Sequence, residues 1–234
     1  MNETFKTKNE NNSDVAALVI AAGYSSRMGD FKPLLKVGEK SALAYLLDSI
    51  ISSGIASIHV VTGHNSDKIE EEIKRYKHIN NVEISETGYE FECQLSLKTI
   101  YNKDYENGMF SSIKTGVREV SKMKSISAAL LFPVDVPLVS SETIKGLTNI
   151  YRKSGMPTNF ALPRVSEKNG HPLLIPKGYF AEVLNYDGDG GLKAIRQKHE
   201  EDMIVFTTDD IGALLDMDNP EEYDRLIKYY ESKK

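Results

Sequence analysis

The chain has 234 residues, 40% of them hydrophobic, and a formal net charge of −5. This length suits one large domain or two small ones, and the apolar content is enough to fill a substantial core. A net negative charge argues against a surface that binds nucleic acid as a whole, so any cationic site must be local. The single cysteine, Cys93, excludes an intramolecular disulfide framework and fits a reducing compartment.

The sequence also bears on membrane insertion and secretion. No apolar run approaches the roughly 20 residues that span a bilayer, so no membrane contact is predicted. The first residues, MNETFKTKNENNS, are polar and lack the apolar core of a signal peptide. We therefore expect residues 1–13 to be a disordered tail, residues 14–234 to form a single domain, and the protein to be cytoplasmic.

Strands and helices alternate over the first 150 residues. Residues 15–22, VAALVIAA, form a short apolar run that is typical of a strand buried on both faces. Residues 41–54 carry apolar side chains with the i, i+3, i+4, i+7 spacing of an amphipathic helix. Further strands are predicted at 57–63 and 126–137, and further helices at 66–77, 111–122 and 141–153. This alternation predicts βαβ units, and so an α/β fold with a mostly parallel sheet.

The second half mixes strands and helices and has more Pro and Gly. Strands are predicted at 159–163, 171–176 and 202–208, and helices at 190–199 and 219–230. Residues 79–98, INNVEISETGYEFECQLSLK, have no clear period, and a hairpin or an irregular insertion are both open for them.

The first strand leads into the loop AAGYSSRMGDFK, residues 21–32. In open α/β sheets, ligands collect beyond the carboxyl ends of the strands, so this loop is a candidate site. Only Gly23 and Gly29 are present where a dinucleotide fingerprint needs three glycines, and the Gly-Lys-Ser/Thr ending of a P-loop is absent. The loop therefore belongs to neither of these two common phosphate-binding types.

The residue types in this loop still favour phosphate binding over a tight strand–helix turn with surface basic residues. Small residues let the backbone approach a ligand closely, serines cap a helix that follows, and cations pair with phosphate oxygens. These residues are Ala21, Ala22 and Gly23, then Ser25 and Ser26, then Arg27 and Lys32.

Two acidic segments are candidates for a metal site. Asp135 lies in the turn that ends the predicted strand segment 126–137, between Pro133 and Pro137, where a turn aspartate bonded to its own backbone is the alternative. A carboxylate next to a phosphate loop repels phosphate unless a divalent cation lies between them, and Mg²⁺ binds in this way. Asp216 and Asp218 alternate, so either one is a candidate second ligand, with helix capping as the alternative.

Three further segments carry polar residues at turns. Gly108 precedes Ser111 and Ser112 at a predicted helix start, where capping and ligand contact are both compatible with the pattern. By mechanism alone, His171 and the Gly-rich loop 186–195 are ordinary turn residues.

Taken together and in order, these motifs resemble the molybdopterin-type nucleotidyltransferase family, and its cytidylyl-transferring branch in particular. Each motif is weak alone, but the ordered set covers about residues 15–230. The matching segments are AAGYSSRMGDFKPLL, VTGH, NKDYENGMFSSIKTGV, PVDVPLV, GHPLLIP, GDGG and LLDMDNPEEY. Guanylyl-transferring relatives tend to carry Ala-Gly-Gly or Gly-Gly-Gly where this chain has Ala-Ala-Gly at residues 21–23.

The resemblance implies a Rossmann-like nucleotidyltransferase fold with helices on both faces of the sheet. It implies transfer of CMP from CTP to the phosphate of a molybdopterin-type molybdenum cofactor, with Mg²⁺ as cofactor and pyrophosphate as leaving group. The implied nucleotide-binding residues are Ala21, Ala22, Gly23, Arg27, Lys32, Gly108 and Ser112. The implied catalytic residues are Arg27, Lys32 and Asp135, the implied metal ligands are Asp135 and Asp218, and the acceptor side would hold His171, Asp189, Gly190 and Gly191.

The chain departs from the family pattern at three places. Residues 79–98 are longer than usual, Lys193 stands where Arg is common, and Asn219 replaces the usual Thr. A related guanylyltransferase, a sugar- or polyol-phosphate nucleotidyltransferase, and a non-catalytic nucleotide- or cofactor-binding protein are the alternatives. A molybdenum hydroxylase or its chaperone is the partner that the resemblance implies.

Overall fold

A central sheet forms the middle layer of the protein. The computed structural model describes residues 14–79, 95–155 and 159–233. The strands in these ranges are β1 (Val15–Ile20), β2 (Lys36–Val37), β3 (Lys40–Ser41), β4 (Ser57–Thr62), β5 (Ser96–Tyr101), β6 (Ala128–Pro133), β7 (Ala161–Val165), β8 (Lys168–Asn169), β9 (Leu173–Pro176) and β10 (Ile204–Thr207). The α-helices there are α1 (Ala42–Ser52), α2 (Ser66–Ile79), α3 (Met109–Ser121), α4 (Ser141–Lys153), α5 (Phe180–Asn185), α6 (Gly191–Lys198) and α7 (Pro220–Ser232).

The strand order of the main sheet is β10-β7-β9-β6-β1-β4-β5, with β8 paired to β7. The β1–β4, β1–β6, β4–β5 and β7–β10 pairs are parallel, and β9 runs antiparallel to both β6 and β7. The chain leaves β1 toward β4 on one side and returns to β6 on the other, so the direction of winding reverses between β1 and β6. A ligand cleft is expected at the carboxyl ends of these two strands. The predicted mostly parallel sheet is confirmed.

The strands β1, β4 and β6 are buried on both faces. In β1, alternate residues face opposite sides of the sheet: Val15, Ala17 and Val19 belong to one core cluster, and Leu18 and Ile20 to the other. Helices α1, α2 and α4 cover the first face, and α3, α5 and α6 cover the second. The expected helices on both faces are therefore present, and burial from two sides explains the continuous apolar runs in the sequence.

Helix α7 packs against the short β2–β3 hairpin and fixes the segment that precedes it. Val37, Met217 and Leu226 are buried together in a third apolar cluster. The Tyr223 hydroxyl donates a hydrogen bond of 2.6 Å to the backbone oxygen of Lys36. This packing brings residues near 218 to the loop that follows β1.

The segment 79–98, for which the sequence left a hairpin or an irregular insertion open, ends in an edge strand. Residues 96–101 form β5, which pairs with β4 in parallel, and Ile79 ends α2. Residues 80–94, including Cys93, and the predicted tail over residues 1–13 lie outside the described residues. In the part of the chain that the structure describes, every helix is too short or too polar to cross a membrane.

Candidate active site

A cleft of about 230 Å³ opens at the carboxyl ends of β1 and β6. It lies where the strand order predicts a ligand site. Its lining residues are Ile20, Ala21, Ala22, Gly23, Tyr24, Ser25, Arg27, Lys32, Pro33, Tyr105, Glu106, Gly108, Met109, Ser112, Pro133, Val134, Asp135 and Asp218. The cleft therefore brings together the loop after β1, the segment from β5 into α3, the turn after β6 and the segment before α7.

One end of the cleft is a cluster of charges. Lys32 Nζ donates to Asp135 Oδ2 at 3.2 Å and to Asp218 Oδ1 at 2.5 Å. Arg27 reaches the other oxygen of Asp218, Oδ2, at 2.8 Å. The Lys32 side chain is only 12% exposed, whereas that of Arg27 is 74% exposed. Residues that are distant in the sequence thus form one network, with a mostly buried ammonium between two carboxylates.

The structure distinguishes Asp218 from Asp216, which the sequence left open as alternative metal ligands. Asp218 lines the cleft, and the hydrogen bond from Lys32 holds the pKa of its carboxyl below the usual value. Asp216 is exposed and is not among the lining residues. Burial, together with the charges of Glu222, Asp218 and Asp135, raises the pKa of Asp216. Asp218 is therefore the anionic partner of Asp135 in the cleft.

The loop after β1 is tied to the sheet by its backbone. Ala21 N donates to Val61 O at 2.9 Å, and His64 N donates to Ala22 O at 3.2 Å. Ala21 and Ala22 are buried, while a side chain added at Gly23 would meet open space. The loop therefore presents its small residues to the cleft on a fixed backbone.

The expected serine cap after this loop is not formed. Lys32–Leu34 is a single 3₁₀ turn with no side-chain cap, and no α-helix follows the loop directly. Ser25 instead has a φ of 57° and accepts a hydrogen bond of 3.1 Å from Lys32 N. The serine thus closes the loop on itself and places Lys32, which is a different role from capping.

The serine caps expected at the start of α3 are also absent, because the helix begins earlier, at Met109. Gly108, with φ of 87°, is the N-cap residue. Ser111 Oγ donates to the backbone oxygen of Gly108, and Ser112 lies buried at the cleft wall.

Asn102 organises this wall and was missed by the sequence analysis. Its side-chain nitrogen donates to Ser111 Oγ at 2.9 Å and to Ser112 Oγ at 3.0 Å. Its side-chain oxygen accepts from Asp104 N at 3.1 Å and from Thr115 Oγ1 at 3.2 Å. All four partners lie within the next 13 residues of the chain. The sequence feature that could have indicated Asn102 is its position directly after a strand, but that strand was itself not predicted.

The other end of the cleft is aromatic. Tyr24 is 48% exposed, and its ring lies 4.8 Å from that of His64 and 5.5 Å from that of Tyr105. The Tyr24 hydroxyl donates to Glu106 Oε1 at 2.9 Å, and this bond raises the pKa of Tyr24 above its usual value. Tyr24, Tyr105 and Glu106 all line the cleft, and none was singled out from the sequence.

The residues expected on the acceptor side lie beside the cleft and do not line it. Among the described residues, His171 Nδ1 is the one buried side-chain nitrogen or oxygen without a hydrogen-bond partner. Burial lowers the pKa of His171, and the charge of Asp135 opposes this effect, so the ring lies within electrostatic range of that carboxylate.

The glycine-rich loop packs against the start of α3. A side chain added at Gly191 would lie 3.0 Å from the ring of Phe110, and Gly190 has φ of 80°. The Tyr186 hydroxyl donates to Asp189 O at 2.8 Å. The loop is therefore held next to the helix whose first turn lines the cleft.

Comparison with known proteins places the chain in a family. The family model described as the MobA-like NTP transferase domain matches residues 17–203. The chain belongs to this family. It is a nucleotidyltransferase with the Rossmann-like fold of that group, and it resembles the molybdenum-cofactor members that its motifs suggested.

Individual relatives are distant but extend over nearly the whole chain. Molybdenum cofactor cytidylyltransferase from Escherichia coli (strain K12) is 23% identical over 216 residues, which cover 90% of this chain and 94% of the relative. The crystal structure of an Rv0371c homolog from Mycobacterium sp. strain JC1 has a TM-score of 0.71 at 21% identity and covers 94% of this chain and 98% of its own.

Two further solved structures carry ligands in their descriptions. Rv0371c from Mycobacterium tuberculosis H37Rv, solved as a complex with manganese, has a TM-score of 0.66 at 17% identity, covering 92% of this chain and 98% of its own. CMP:2-keto-3-deoxy-manno-octonic acid synthetase complexed with CTP has a TM-score of 0.70 at 12% identity, covering 95% of this chain and 100% of its own. At these identities the likeness establishes the shared fold.

Proposed function

We propose that the protein transfers CMP from CTP to the phosphate of a molybdopterin-type molybdenum cofactor and releases pyrophosphate. The observation that carries the proposal is the convergence of Lys32 Nζ on Asp135 and Asp218 at the charged end of the cleft. The similarity to the Escherichia coli cytidylyltransferase over 90% of the chain supports CTP as donor and the cofactor as acceptor.

The charged end fits a divalent cation, for which we propose Mg²⁺. Two carboxylate oxygens already converge on one nitrogen, so Asp135 and Asp218 can face a common cation. In the described ranges no group of three or more His, Cys, Asp or Glu side chains is placed to hold a metal. Mg²⁺ commonly uses one or two carboxylates and completes its shell with substrate phosphates and water, and the manganese complex of Rv0371c is compatible with such a site. When bound, the cation supplies charge stabilisation at the phosphate oxygens.

The acceptor in this reaction needs no general base. A phosphate monoester is largely ionised at pH 7, and one of its oxygens would attack the α-phosphorus of CTP as the bond to the departing pyrophosphate breaks. Arg27 and Lys32 would stabilise the negative charge that the pyrophosphate carries away. The proposed role of the chain is thus to place two anions in line and to neutralise their repulsion.

The remaining residues are assigned to the two substrates. Ala21, Ala22 and Gly23 would lie against the nucleotide, and Gly108 and Ser112 would lie near its base. The acceptor would bind beside the cleft, next to His171 and the loop residues Asp189, Gly190 and Gly191. Delivery of the product to a molybdenum hydroxylase or its chaperone stays a prediction.

The test is pyrophosphate release measured with CTP, GTP, ATP and UTP, each with Mg²⁺ and with or without the molybdopterin-type cofactor. The proposal predicts release that requires both CTP and the cofactor. Faster release with GTP would indicate a guanylyltransferase, and release with a sugar or polyol phosphate as acceptor would indicate a different acceptor class. Binding of CTP with no release in the presence of any acceptor would indicate a non-catalytic binding protein.

A further inference from the structure

The side chain of Glu106 lies at the aromatic end of the cleft, which is the end available to a nucleobase if the phosphates occupy the charged end. Asp135 follows β6 and Glu106 follows β5, and β1 and β4 lie between these strands in the sheet. With neighbouring strands spaced by about 4.8 Å, the two ends of the cleft are separated by roughly 14 Å at the sheet. A nucleoside triphosphate carries its phosphates at one end and its base at the other. Phosphates at the charged end therefore direct the base toward Glu106.

This end is built to receive a flat ring. Tyr24 and Tyr105 come from the loops after β1 and β5, and their ring centroids are 5.5 Å apart. A side chain at Gly63, after β4, would lie 2.5 Å from Tyr105 Cβ, so the glycine allows the tyrosine to pack there. Gly108 also lines the cleft, and a side chain there would meet nothing within 4 Å, so the cleft has open space next to this residue. Exposed aromatic faces at such a position stack on bases without choosing among them.

We propose that Glu106 selects the base by accepting a hydrogen bond from the N4 amino group of cytosine. The proposal rests on CTP being the donor of the proposed function. An ionised carboxylate only accepts hydrogen bonds, so it attracts an amino group and repels a carbonyl oxygen. Cytosine presents an amino donor where uracil presents the O4 acceptor. Glu106 thus separates CTP from UTP, two nucleotides of nearly equal size that stacking alone does not distinguish.

The hydrogen bond from Tyr24 shows that Glu106 Oε1 is already used as an acceptor in the cleft. The hydroxyl positions the carboxylate of this cleft-lining residue and would compete with the amino group for it. Because the Tyr24 ring and its hydroxyl have separate roles, Tyr24→Phe keeps the stacking face and removes only the competing donor. This distinction separates a base-reading carboxylate from one that merely joins two loops.

The experiment is calorimetric titration of the full-length protein with CTP and with UTP, each with Mg²⁺ and without acceptor. The proteins are the wild type, Glu106→Gln and Tyr24→Phe, with Glu119→Gln as matched control because Glu119 is paired with Lys122 on the surface of α3. The wild type is expected to prefer CTP by about tenfold or more, which is the size of one hydrogen bond to a charged group. Glu106→Gln should reduce the CTP/UTP ratio by about tenfold, since an amide can donate to O4. Tyr24→Phe should keep or raise the ratio, and Glu119→Gln should leave it unchanged.

The outcomes separate this inference from the proposed function. If the wild type prefers CTP and Glu106→Gln keeps the wild-type CTP/UTP ratio, Glu106 does not read the base, while cytidylyl transfer stands. If Tyr24→Phe abolishes the preference for CTP, the Tyr24–Glu106 bond acts as a structural clasp and the inference is wrong. If a parallel titration shows tighter binding of GTP than of CTP by the wild type, cytidylyl transfer itself is wrong, and the assignment of Glu106 to cytosine falls with it.

Discussion

Lys32 is the residue on which the charged end of the cleft depends. Its ammonium separates Asp135 from Asp218, and these two carboxylates would otherwise face one another across a small space. In the proposed reaction the same ammonium stabilises the departing pyrophosphate. If the proposed function holds, Lys32 would exchange carboxylate partners for phosphate partners on binding of nucleotide and metal.

Lys32→Ala should lower the rate of transfer by on the order of 10²–10³-fold, because the leaving group loses a preorganised charge. The same change should raise the affinity of the nucleotide-free protein for Mg²⁺, because the competing ammonium is removed. Steady-state kinetics and calorimetry with Mg²⁺ alone measure the two effects. Lys36→Ala, which changes an exposed lysine of the hairpin, is the control. An Mg²⁺ affinity equal to that of the wild type would show that Lys32 does not compete for the carboxylates.

Asn102 holds the wall of the cleft that the start of α3 forms. Its side chain makes four hydrogen bonds and is 1% exposed, and one of its partners is the buried hydroxyl of Ser112, which loses this partner when the side chain is removed. Asn102→Ala should lower the free energy of unfolding by about 2–3 kcal/mol. Urea denaturation measures this, with the exposed Asn185→Ala as control. A loss no larger than that of the control would mean that Asn102 does not hold the start of α3.

At the level of elements, the cleft depends on close packing of the loops after β1, β4 and β5. Gly63 lies between the other two loops, and an added Cβ would lie 2.5 Å from Tyr105 Cβ and 2.9 Å from Ala22 O. A backbone oxygen and a Cβ atom cannot move without moving their loops. A side chain at this position therefore disturbs the loop after β1 and the aromatic end of the cleft together.

Gly63→Ala should destabilise the protein by about 1–3 kcal/mol, as overpacking does elsewhere, and should weaken binding of CTP. Thermal denaturation and nucleotide titration measure the two effects. Gly23→Ala is the matched control for stability, because its added Cβ, in the neighbouring loop after β1, would meet open space. If the two alanine variants unfold at the same temperature, the contact across the three loops does not constrain the site.

The elements differ in how far the sequence predicts them. The strands β1 and β6 were predicted because burial on both faces produces unbroken apolar runs, VAALVI and AALLFP. The edge strand β5 was missed because SLKTIY is only partly buried and carries no clean alternation. The antiparallel insertion of β9 between β6 and β7 depends on tertiary packing, which has no local signal.

The same distinction holds within the site. The convergence of Arg27, Lys32 and Asp135 could be predicted from the sheet. Arg27 and Lys32 lie in the loop after β1, and Asp135 follows β6. The carboxyl ends of parallel strands lie at the same edge of a sheet. Asp218 could not be separated from Asp216, because the choice depends on how α7 packs against the hairpin. Tyr24 and Glu106 were missed because an exposed tyrosine and an exposed glutamate have no pattern until the fold places them 2.9 Å apart.

For the molecule as a whole, the lowered pKa values of His59 and His171 predict how stability depends on pH. Burial lowers the pKa of His59 to about 4 and also lowers that of His171. A group whose pKa is lower in the folded state than in the unfolded state, where it is about 6.5, binds protons preferentially on unfolding. The folded protein therefore loses stability as the pH falls from about 6.5 toward 4, and His59 adds no further loss below its folded pKa.

His59→Gln should remove part of this dependence. Between pH 7.5 and pH 4.5, the wild type should lose about 2–3 kcal/mol more in free energy of unfolding than the variant does. Denaturant titrations at a series of pH values measure the difference, and His78→Gln, an exposed histidine of α2, is the control. Parallel curves for the wild type and His59→Gln would mean that His59 does not stay neutral in the folded protein.

The most direct test of the central claim follows the α-phosphate itself. CTP labelled in its α-phosphate is incubated with the molybdopterin-type cofactor and Mg²⁺, using wild type, Asp135→Asn and the control Asp224→Asn, which changes an exposed aspartate of α7. We predict that the wild type and the control move the label into a cytidine dinucleotide cofactor with one pyrophosphate released per label. Asp135→Asn should reduce this transfer by on the order of 10²-fold or more while keeping its fold. Label that stays in CTP with the wild type, or transfer by Asp135→Asn at the wild-type rate, would contradict the account.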